Sequence, residues 1–122
     1  MPVVLTVEDD EQVRVLAESI LQDSGHETLS ATNVDEALAL LRSDQTIDVL
    51  FTDIELWNAL QGGIDLAQEG VRLRPEIHVV YTSGREVTDG MRALFVERSL
   101  YLRKPYLASQ LTEAVGSLLG ST

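Results

Sequence analysis

Short runs of β-branched and other apolar residues alternate with segments of helical periodicity along this chain. The runs are VVLTV (3–7), DVLFTD (48–53), IHVVYTSG (77–84) and SLYLRKP (99–105), with a weaker strand candidate at 27–31. Apolar residues recur at helical spacing over 11–24, 33–41, 64–73, 86–97 and 107–119, most weakly over 86–97. Strands that alternate with helices imply right-handed crossovers and a parallel sheet covered on both faces. The pattern therefore predicts one α/β domain.

Composition narrows the class of protein further. The chain has 122 residues, a hydrophobic share of 44% and no cysteine, which fits one globular domain without disulfides and a reducing cytoplasm. Its formal net charge of −11 repels phosphate backbones and anionic lipid, so we expect no direct binding of nucleic acid or membranes. The chain shows neither an apolar run of bilayer length nor a secretory signal pattern.

Polar residues follow four of the predicted strands. These are Glu8 with Asp9, Asp53, Thr82 with Ser83, and Lys104. Because the carboxyl ends of parallel strands meet at one edge of the sheet, we expect them to line a shallow cleft. Converging carboxylates favour a hard divalent cation such as Mg²⁺, and a lysine and a hydroxyl favour an anion beside it. A phosphoryl group bridged by a metal ion satisfies both demands.

Each of these residues also has a purely structural interpretation. Asp9 or Asp10 can cap the helix that follows, because helix N-termini favour acidic side chains. Asp53 can begin a loop, and Ser83-Gly84 and Lys104-Pro105 can form ordinary turns. Arg85 is interpreted as a solvated side chain. Four adjacent acidic residues at 8–11 nevertheless exceed what capping requires.

In order and spacing, these motifs resemble those of response-regulator receiver domains, the phosphoacceptor modules of two-component signalling. The matching features are the acidic pair Glu8 and Asp9, the phosphoacceptor Asp53, Ser83 followed by the small residue Gly84, Tyr101, and Lys104-Pro105. The resemblance runs from end to end. It implies a flavodoxin-like, doubly wound, five-stranded parallel sheet in the order 2-1-3-4-5 with five helices. We expect residues 1–122 to form a single receiver domain of the chemotaxis type, with no output domain in the chain.

The resemblance also implies a reaction. Asp53 would accept a phosphoryl group from a sensor histidine kinase or a histidine phosphotransfer protein. Glu8, Asp9, Asp53 and the backbone carbonyl of Glu55 would hold Mg²⁺. The domain would also catalyse its own dephosphorylation, so it would be an enzyme only in a narrow sense.

A conformational switch is the second implication of the resemblance. Lys104, Ser83 and Gly84 would bind the phosphoryl group, and the Lys104–Pro105 peptide bond is a candidate for the cis form. Ser83 and Tyr101 would then change the surface of the fourth helix, fifth strand and fifth helix, to which a downstream protein target would bind. Dimerisation on phosphorylation through this surface is left open.

The chain departs from the family pattern after Asp53. Trp57 stands where many members have a proline, and the stretch from Asp53 to Gly63 is about two residues longer than usual, so either Gly62 or Gly63 could match the family's glycine. These differences bear on phosphorylation lifetime and partner choice. The alternatives are a pseudo-receiver that binds proteins without phosphorylation and, less well supported, a phosphoaspartate hydrolase of the haloacid dehalogenase type.

Overall fold

The fold follows the alternation of strands and helices that the sequence predicts. A computed structural model describes residues 1–56 and 62–120. The elements along the chain are β1 Val3–Val7, α1 Glu11–Asp23, β2 Glu27–Ala31, α2 Val34–Leu41, β3 Val49–Asp53, α3 Gly62–Leu73, β4 His78–Ser83, α4 Asp89–Arg92, β5 Ser99–Arg103 and α5 Ala108–Leu118. The strands form one parallel sheet in the order β2-β1-β3-β4-β5. The predicted flavodoxin-like architecture is confirmed.

Helices cover both faces of the sheet. Successive side chains of a strand point to opposite faces, so Val4 packs with α1 and α5, whereas Leu5 packs with α2 and α3. Every residue of β1 and β3 is buried, as expected of central strands covered on both sides. Among the described residues, each helix is too short or too polar to cross a lipid bilayer.

Polar side chains begin the first two helices. The Asp10 carboxylate caps α1 by accepting hydrogen bonds from the amides of Gln12 and Val13, at 3.0 and 3.2 Å. The Asn33 side chain caps α2 by accepting the Glu36 amide hydrogen bond at 2.8 Å. Each cap satisfies an amide that has no partner within its helix. Asp10 is therefore the capping residue of the acidic run, which leaves Glu8 and Asp9 at the end of β1.

The prediction of a helix over 86–97 is wrong in length. α4 is a single turn, Asp89–Arg92, capped by the side chain of Thr88. Phe95 turns back and stacks on Tyr81, with ring centroids 4.1 Å apart. The Tyr81 hydroxyl accepts a hydrogen bond from the Val96 amide at 3.0 Å. The Val96 amide is therefore bonded to a buried aromatic residue on β4 and does not continue the helix.

Candidate functional site

The carboxyl edge of the sheet brings the four predicted strand ends together. Glu8 follows β1, Asp53 ends β3, Ser83 ends β4 and Lys104 follows β5. Strand pairing sets Asp53 opposite Thr82, and the Lys104 amide donates to the Ser83 carbonyl at 2.9 Å. Parallel pairing thus joins side chains as many as 96 positions apart in the chain.

The Lys104 ammonium group lies between two carboxylates. Its Nζ donates to Glu8 Oε1 at 2.7 Å and to Asp53 Oδ2 at 3.0 Å. Both acidic residues are 7% exposed, so these contacts are protected from water. The cleft therefore holds two buried carboxylates and one ammonium group, an excess of negative charge that an additional cation would relieve.

The ionisation of these three groups reflects their burial and their mutual charges. Burial raises the pKa of Glu8 to about 7; the hydrogen bond from Lys104 opposes this shift and the charge of Asp53 adds to it. Burial also raises the pKa of Asp53, against the opposing charge of Lys104. Burial by itself would lower the pKa of Lys104, but its hydrogen bonds and charge interactions with Glu8 and Asp53 raise it. The raised pKa of Lys104 keeps its ammonium group charged beside the two acidic side chains.

Asp9 completes an acidic cluster at this edge. Glu8, Asp9 and Asp53 each offer a carboxylate oxygen, and these oxygens lie within 4.8 Å of one another. Asp9 is more exposed than the other two residues. Carboxylate oxygens are the ligands of hard divalent cations, and Mg²⁺ commonly keeps several water ligands at such sites. The donor set is therefore of the kind that holds Mg²⁺.

Backbone hydrogen bonds hold Glu8 toward the cleft. Its second carboxylate oxygen, Oε2, accepts from the Asp10 amide at 3.2 Å, and its carbonyl accepts from the Arg14 guanidinium at 3.0 Å. The Glu8 amide donates to the Ala31 carbonyl of β2 at 3.2 Å. Arg14 was missed by the sequence analysis because one basic residue within an amphipathic helix carries no positional signal.

Gly63 brings the start of α3 into contact with the backbone of Asp53. A Cβ atom at Gly63 would lie 1.9 Å from the Asp53 carbonyl oxygen and 2.8 Å from Ile54 Cα. The Gly63 amide donates to the Ile54 carbonyl at 2.8 Å. Only a residue without a side chain fits so close to the end of β3. The departures of sequence at Trp57 and up to residue 61 lie outside the described residues.

Ser83, Glu55 and Arg85 form a chain of contacts at the mouth of the cleft. The Ser83 hydroxyl donates to Glu55 Oε1 at 2.9 Å, and Glu55 Oε2 pairs with Arg85 Nε at 2.6 Å. The Glu55 amide donates to Asp53 Oδ1 at 3.1 Å. The interpretation of Arg85 as merely solvated is incomplete, since its side chain is 73% exposed yet ion-paired. Sequence spacing carries no signal for this pair, because its members follow different strands.

Tyr101 lies on β5 beside the loop that follows β4. Its ring centroid is 6.3 Å from that of Phe95, and the Arg92 guanidinium lies 5.3 Å above the Tyr101 ring. The Tyr101 hydroxyl donates a long hydrogen bond of 3.4 Å to the Arg85 carbonyl. Gly84, between Ser83 and Arg85, is exposed. Tyr101 is thus in contact with the same loop that carries the Ser83 hydroxyl.

An apolar groove borders Lys104 on the side of α1. It is lined by the side chains of α1 and of the segment after β5, namely Val13, Leu16, Ile20, Pro105 and Tyr106. Leu16 belongs to the apolar spacing of the first predicted helix, yet it is 62% exposed. The apolar face of α1 is therefore wider than the core requires, a signal that the sequence contained.

The Lys104–Pro105 peptide bond is cis.

Comparisons with known proteins identify the family. The family model described as response regulator receiver domain matches residues 4–116. A response regulator receiver protein from Sinorhizobium medicae WSM419 has a TM-score of 0.89 at 28% identity, with 98% of this chain and 95% of that chain covered. NtrX from Brucella abortus has a TM-score of 0.82 at 30% identity, with 99% of this chain and 27% of that chain covered.

A full-length relative gives the same family. Response regulator SaeR of Staphylococcus aureus strain USA300 is 26% identical over 116 residues, which cover 94% of this chain and 49% of SaeR. The chain thus spans about half the length of this curated relative. The match to the family model extends over most of the chain and covers all five strands apart from Val3. The protein therefore belongs to the family of response regulator receiver domains.

Proposed function

We propose that this domain is a phosphoacceptor of a two-component system or phosphorelay, and that Asp53 receives the phosphoryl group. The observation that carries the proposal is the position of the Lys104 ammonium group, within 3.0 Å of Asp53 and 2.7 Å of Glu8. A buried carboxylate beside a fixed cation and further acidic groups has the parts that phosphoryl transfer needs. Membership of the receiver family supports the same conclusion.

In the proposed reaction, a carboxylate oxygen of Asp53 attacks the phosphorus of a phosphohistidine on a partner protein. The new O–P bond forms as the P–N bond breaks, and the electron pair of the P–N bond remains on the imidazole. The Lys104 ammonium group, which contacts Asp53 at 3.0 Å, exchanges this contact for one with a phosphoryl oxygen. Asp53 requires little movement for the attack, because it belongs to β3 and its carboxylate accepts a hydrogen bond from the Glu55 amide.

Glu8, Asp9 and Asp53 would hold Mg²⁺ through their clustered carboxylate oxygens. The backbone carbonyl of Glu55 is proposed as the fourth protein ligand. When bound, the ion neutralises charge on the oxygens of the phosphoryl group. The clustered carboxylates outnumber the single Lys104 ammonium group. Binding of Mg²⁺ would reduce this excess of negative charge and is therefore favoured.

Binding of the phosphoryl group would drive the conformational switch. Ser83 would donate its hydroxyl hydrogen bond to a phosphoryl oxygen, with the small residue Gly84 leaving room for the group. The loop after β4 would move with Ser83, and Tyr101 would change position because its hydroxyl contacts the Arg85 carbonyl. The surface made by α4, β5 and α5 would then differ between the two states and select a downstream protein.

The apolar groove beside Lys104 is the proposed docking surface for the phosphoryl donor. It adjoins the phosphoacceptor cleft, since Lys104 belongs to both, and Leu16 presents an exposed apolar side chain there. A histidine kinase or histidine phosphotransfer protein bound at this groove would present its phosphohistidine to Asp53. The net charge of −11 makes a partner with a basic or apolar contact surface more favourable than an acidic one.

The decisive experiment is intact-mass measurement after incubation with acetyl phosphate, with and without Mg²⁺. The native chain is compared with Asp53→Asn and with the matched control Asp65→Asn, which removes an exposed carboxylate from α3. We expect one Mg²⁺-dependent phosphoryl adduct on the native chain and on the control, and none on Asp53→Asn.

Other outcomes would contradict the proposal. An adduct that persists in Asp53→Asn would place the phosphoryl group elsewhere. Absence of any adduct, together with absence of Mg²⁺ binding in isothermal titration calorimetry, would instead support the pseudo-receiver function.

A further inference from the structure

The Ser83 hydroxyl donates its hydrogen bond to a side chain that is not among the proposed phosphoryl-binding residues. It donates to Glu55 Oε1 at 2.9 Å, while its oxygen accepts from the Arg85 amide at 3.0 Å. Ser83 is 1% exposed, so water does not compete for these contacts. The Arg85 carbonyl is a second candidate acceptor at the longer distance of 3.3 Å. A hydroxyl has one proton to donate, and a carboxylate is a stronger acceptor than a neutral carbonyl oxygen. The Ser83 proton is therefore held by Glu55.

We propose that Glu55 is a latch that keeps Ser83 in the inactive arrangement until a phosphoryl group displaces it. This inference rests on the proposed phosphoacceptor function of Asp53. The phosphoryl oxygen and Glu55 compete for the same Ser83 proton, so Ser83 can stabilise the transferring phosphoryl group only after its hydrogen bond to Glu55 breaks. Glu55 is a positioning residue in this scheme, because it acts through Ser83 and not on the phosphorus atom.

Arg85 holds the latch closed from outside. Its guanidinium pairs with Glu55 Oε2 at 2.6 Å, which leaves Oε1 directed to Ser83. The Glu55 side chain is 23% exposed and that of Arg85 is 73% exposed, so the pair can swing outward into solvent together. The ion pair with Arg85 would thus keep the Glu55 carboxylate neutralised when it releases Ser83 and leaves the cleft.

The latch also connects the cleft to the proposed switch residue. Arg85 carries the amide that donates to Ser83 and the carbonyl that accepts from Tyr101 at 3.4 Å. A shift of Ser83 away from Glu55 therefore moves the backbone group on which the Tyr101 hydroxyl rests. The loop after β4 joins the two events without any contact between Tyr101 and the phosphoryl group.

The test is a double-mutant cycle of Glu55→Gln and Ser83→Ala, read as the rate constant for adduct formation with acetyl phosphate at saturating Mg²⁺. Loss of the charged acceptor should accelerate phosphorylation by roughly fivefold in Glu55→Gln. In the Ser83→Ala background, the same Glu55→Gln change should alter the rate by less than about twofold, because the latch has no hydroxyl to hold. The matched control is Glu86→Gln, which removes an exposed carboxylate of the same loop.

Three results would overturn the latch. They are an unchanged rate in Glu55→Gln, an equal acceleration by Glu86→Gln, and full retention of the acceleration in the Ser83→Ala background. The last two would assign the effect to net charge at the mouth of the cleft. These failures differ from failure of the phosphoacceptor function, in which the native chain itself forms no adduct on Asp53.

Discussion

Substitution of Gly63 by alanine tests how closely α3 approaches the phosphoacceptor strand. The added Cβ would lie 1.9 Å from the Asp53 carbonyl oxygen, so the two backbones must separate by about 1 Å before the contact becomes tolerable. Hydrogen-bonded neighbours on both sides hold β3, and the Gly63 amide is bonded to the Ile54 carbonyl. Neither partner is a flexible side chain that can move aside.

The expected cost follows from this rigidity. Overpacking of a well-ordered core costs about 1–3 kcal/mol, and a backbone-to-backbone clash lies at the upper end of that range or beyond. The intrinsic preference of alanine for helices returns about 1 kcal/mol. We therefore expect Gly63→Ala to lower the free energy of unfolding by at least about 2 kcal/mol. Displacement of the Asp53 backbone should also weaken Mg²⁺ binding.

The assay is urea denaturation of the native chain, Gly63→Ala and Gly70→Ala. Gly70 is the matched control, because it lies in the same helix but its Cβ would meet only Leu41 Cδ1 at 3.4 Å and Leu50 Cδ2 at 3.6 Å. At Gly70 the alanine should be neutral or stabilise by about 0.5–1 kcal/mol. Equal stability of the two variants would refute the close approach of α3 to Asp53.

Three further perturbations probe the charges and the buried hydroxyl of the site. Lys104→Met should lower the free energy of unfolding by about 2 kcal/mol without Mg²⁺, because it leaves two buried carboxylates unneutralised. Mg²⁺ should restore most of this loss, and urea denaturation with and without the ion checks both expectations. Because the pKa of Glu8 is raised from 4.5 to about 7, folding favours its protonated form, so the associated stability is present below pH 4.5 and is lost as the pH rises to about 7. The metal-free native chain should lose about 3 kcal/mol over this interval relative to Glu8→Gln, and parallel pH profiles of the two would contradict the raised pKa. Thr82→Val should raise the free energy of unfolding by about 1 kcal/mol, since the buried Thr82 hydroxyl oxygen has no hydrogen-bond partner among the described residues. A loss of stability in thermal denaturation would argue against this.

Residue patterns along the chain were enough to predict an α/β domain with a parallel sheet, and the family resemblance added the order of the strands. The runs VVLTV and VLF are nearly continuous in apolar residues because both faces of β1 and β3 are covered, and that property is local to each strand. The helix over 86–97 was predicted wrongly for the opposite reason. Its second half contacts Tyr81, a residue on another element, and a contact of this kind leaves no periodicity in the segment itself.

The candidate site divides in the same way. Glu8, Asp53 and Lys104 were predicted to converge because parallel strands must end at one edge, and the structure brings their side chains into contact. The capping role of Asp10, which sequence reasoning could not separate from Asp9, depends on where α1 begins in space. The choice between Gly62 and Gly63 likewise required the position of α3, which puts Gly63 against the Asp53 carbonyl.

The sequence by itself determined the order of strands and helices and the edge at which the polar residues meet, since both follow from backbone periodicity and parallel pairing. Only the tertiary structure decided which partner each polar side chain takes. The Ser83 hydroxyl could have faced the cleft, but Glu55 from the loop after β3 and Arg85 from the loop after β4 hold it. Such choices depend on distances between side chains of different elements, and these distances exist only once the sheet has formed.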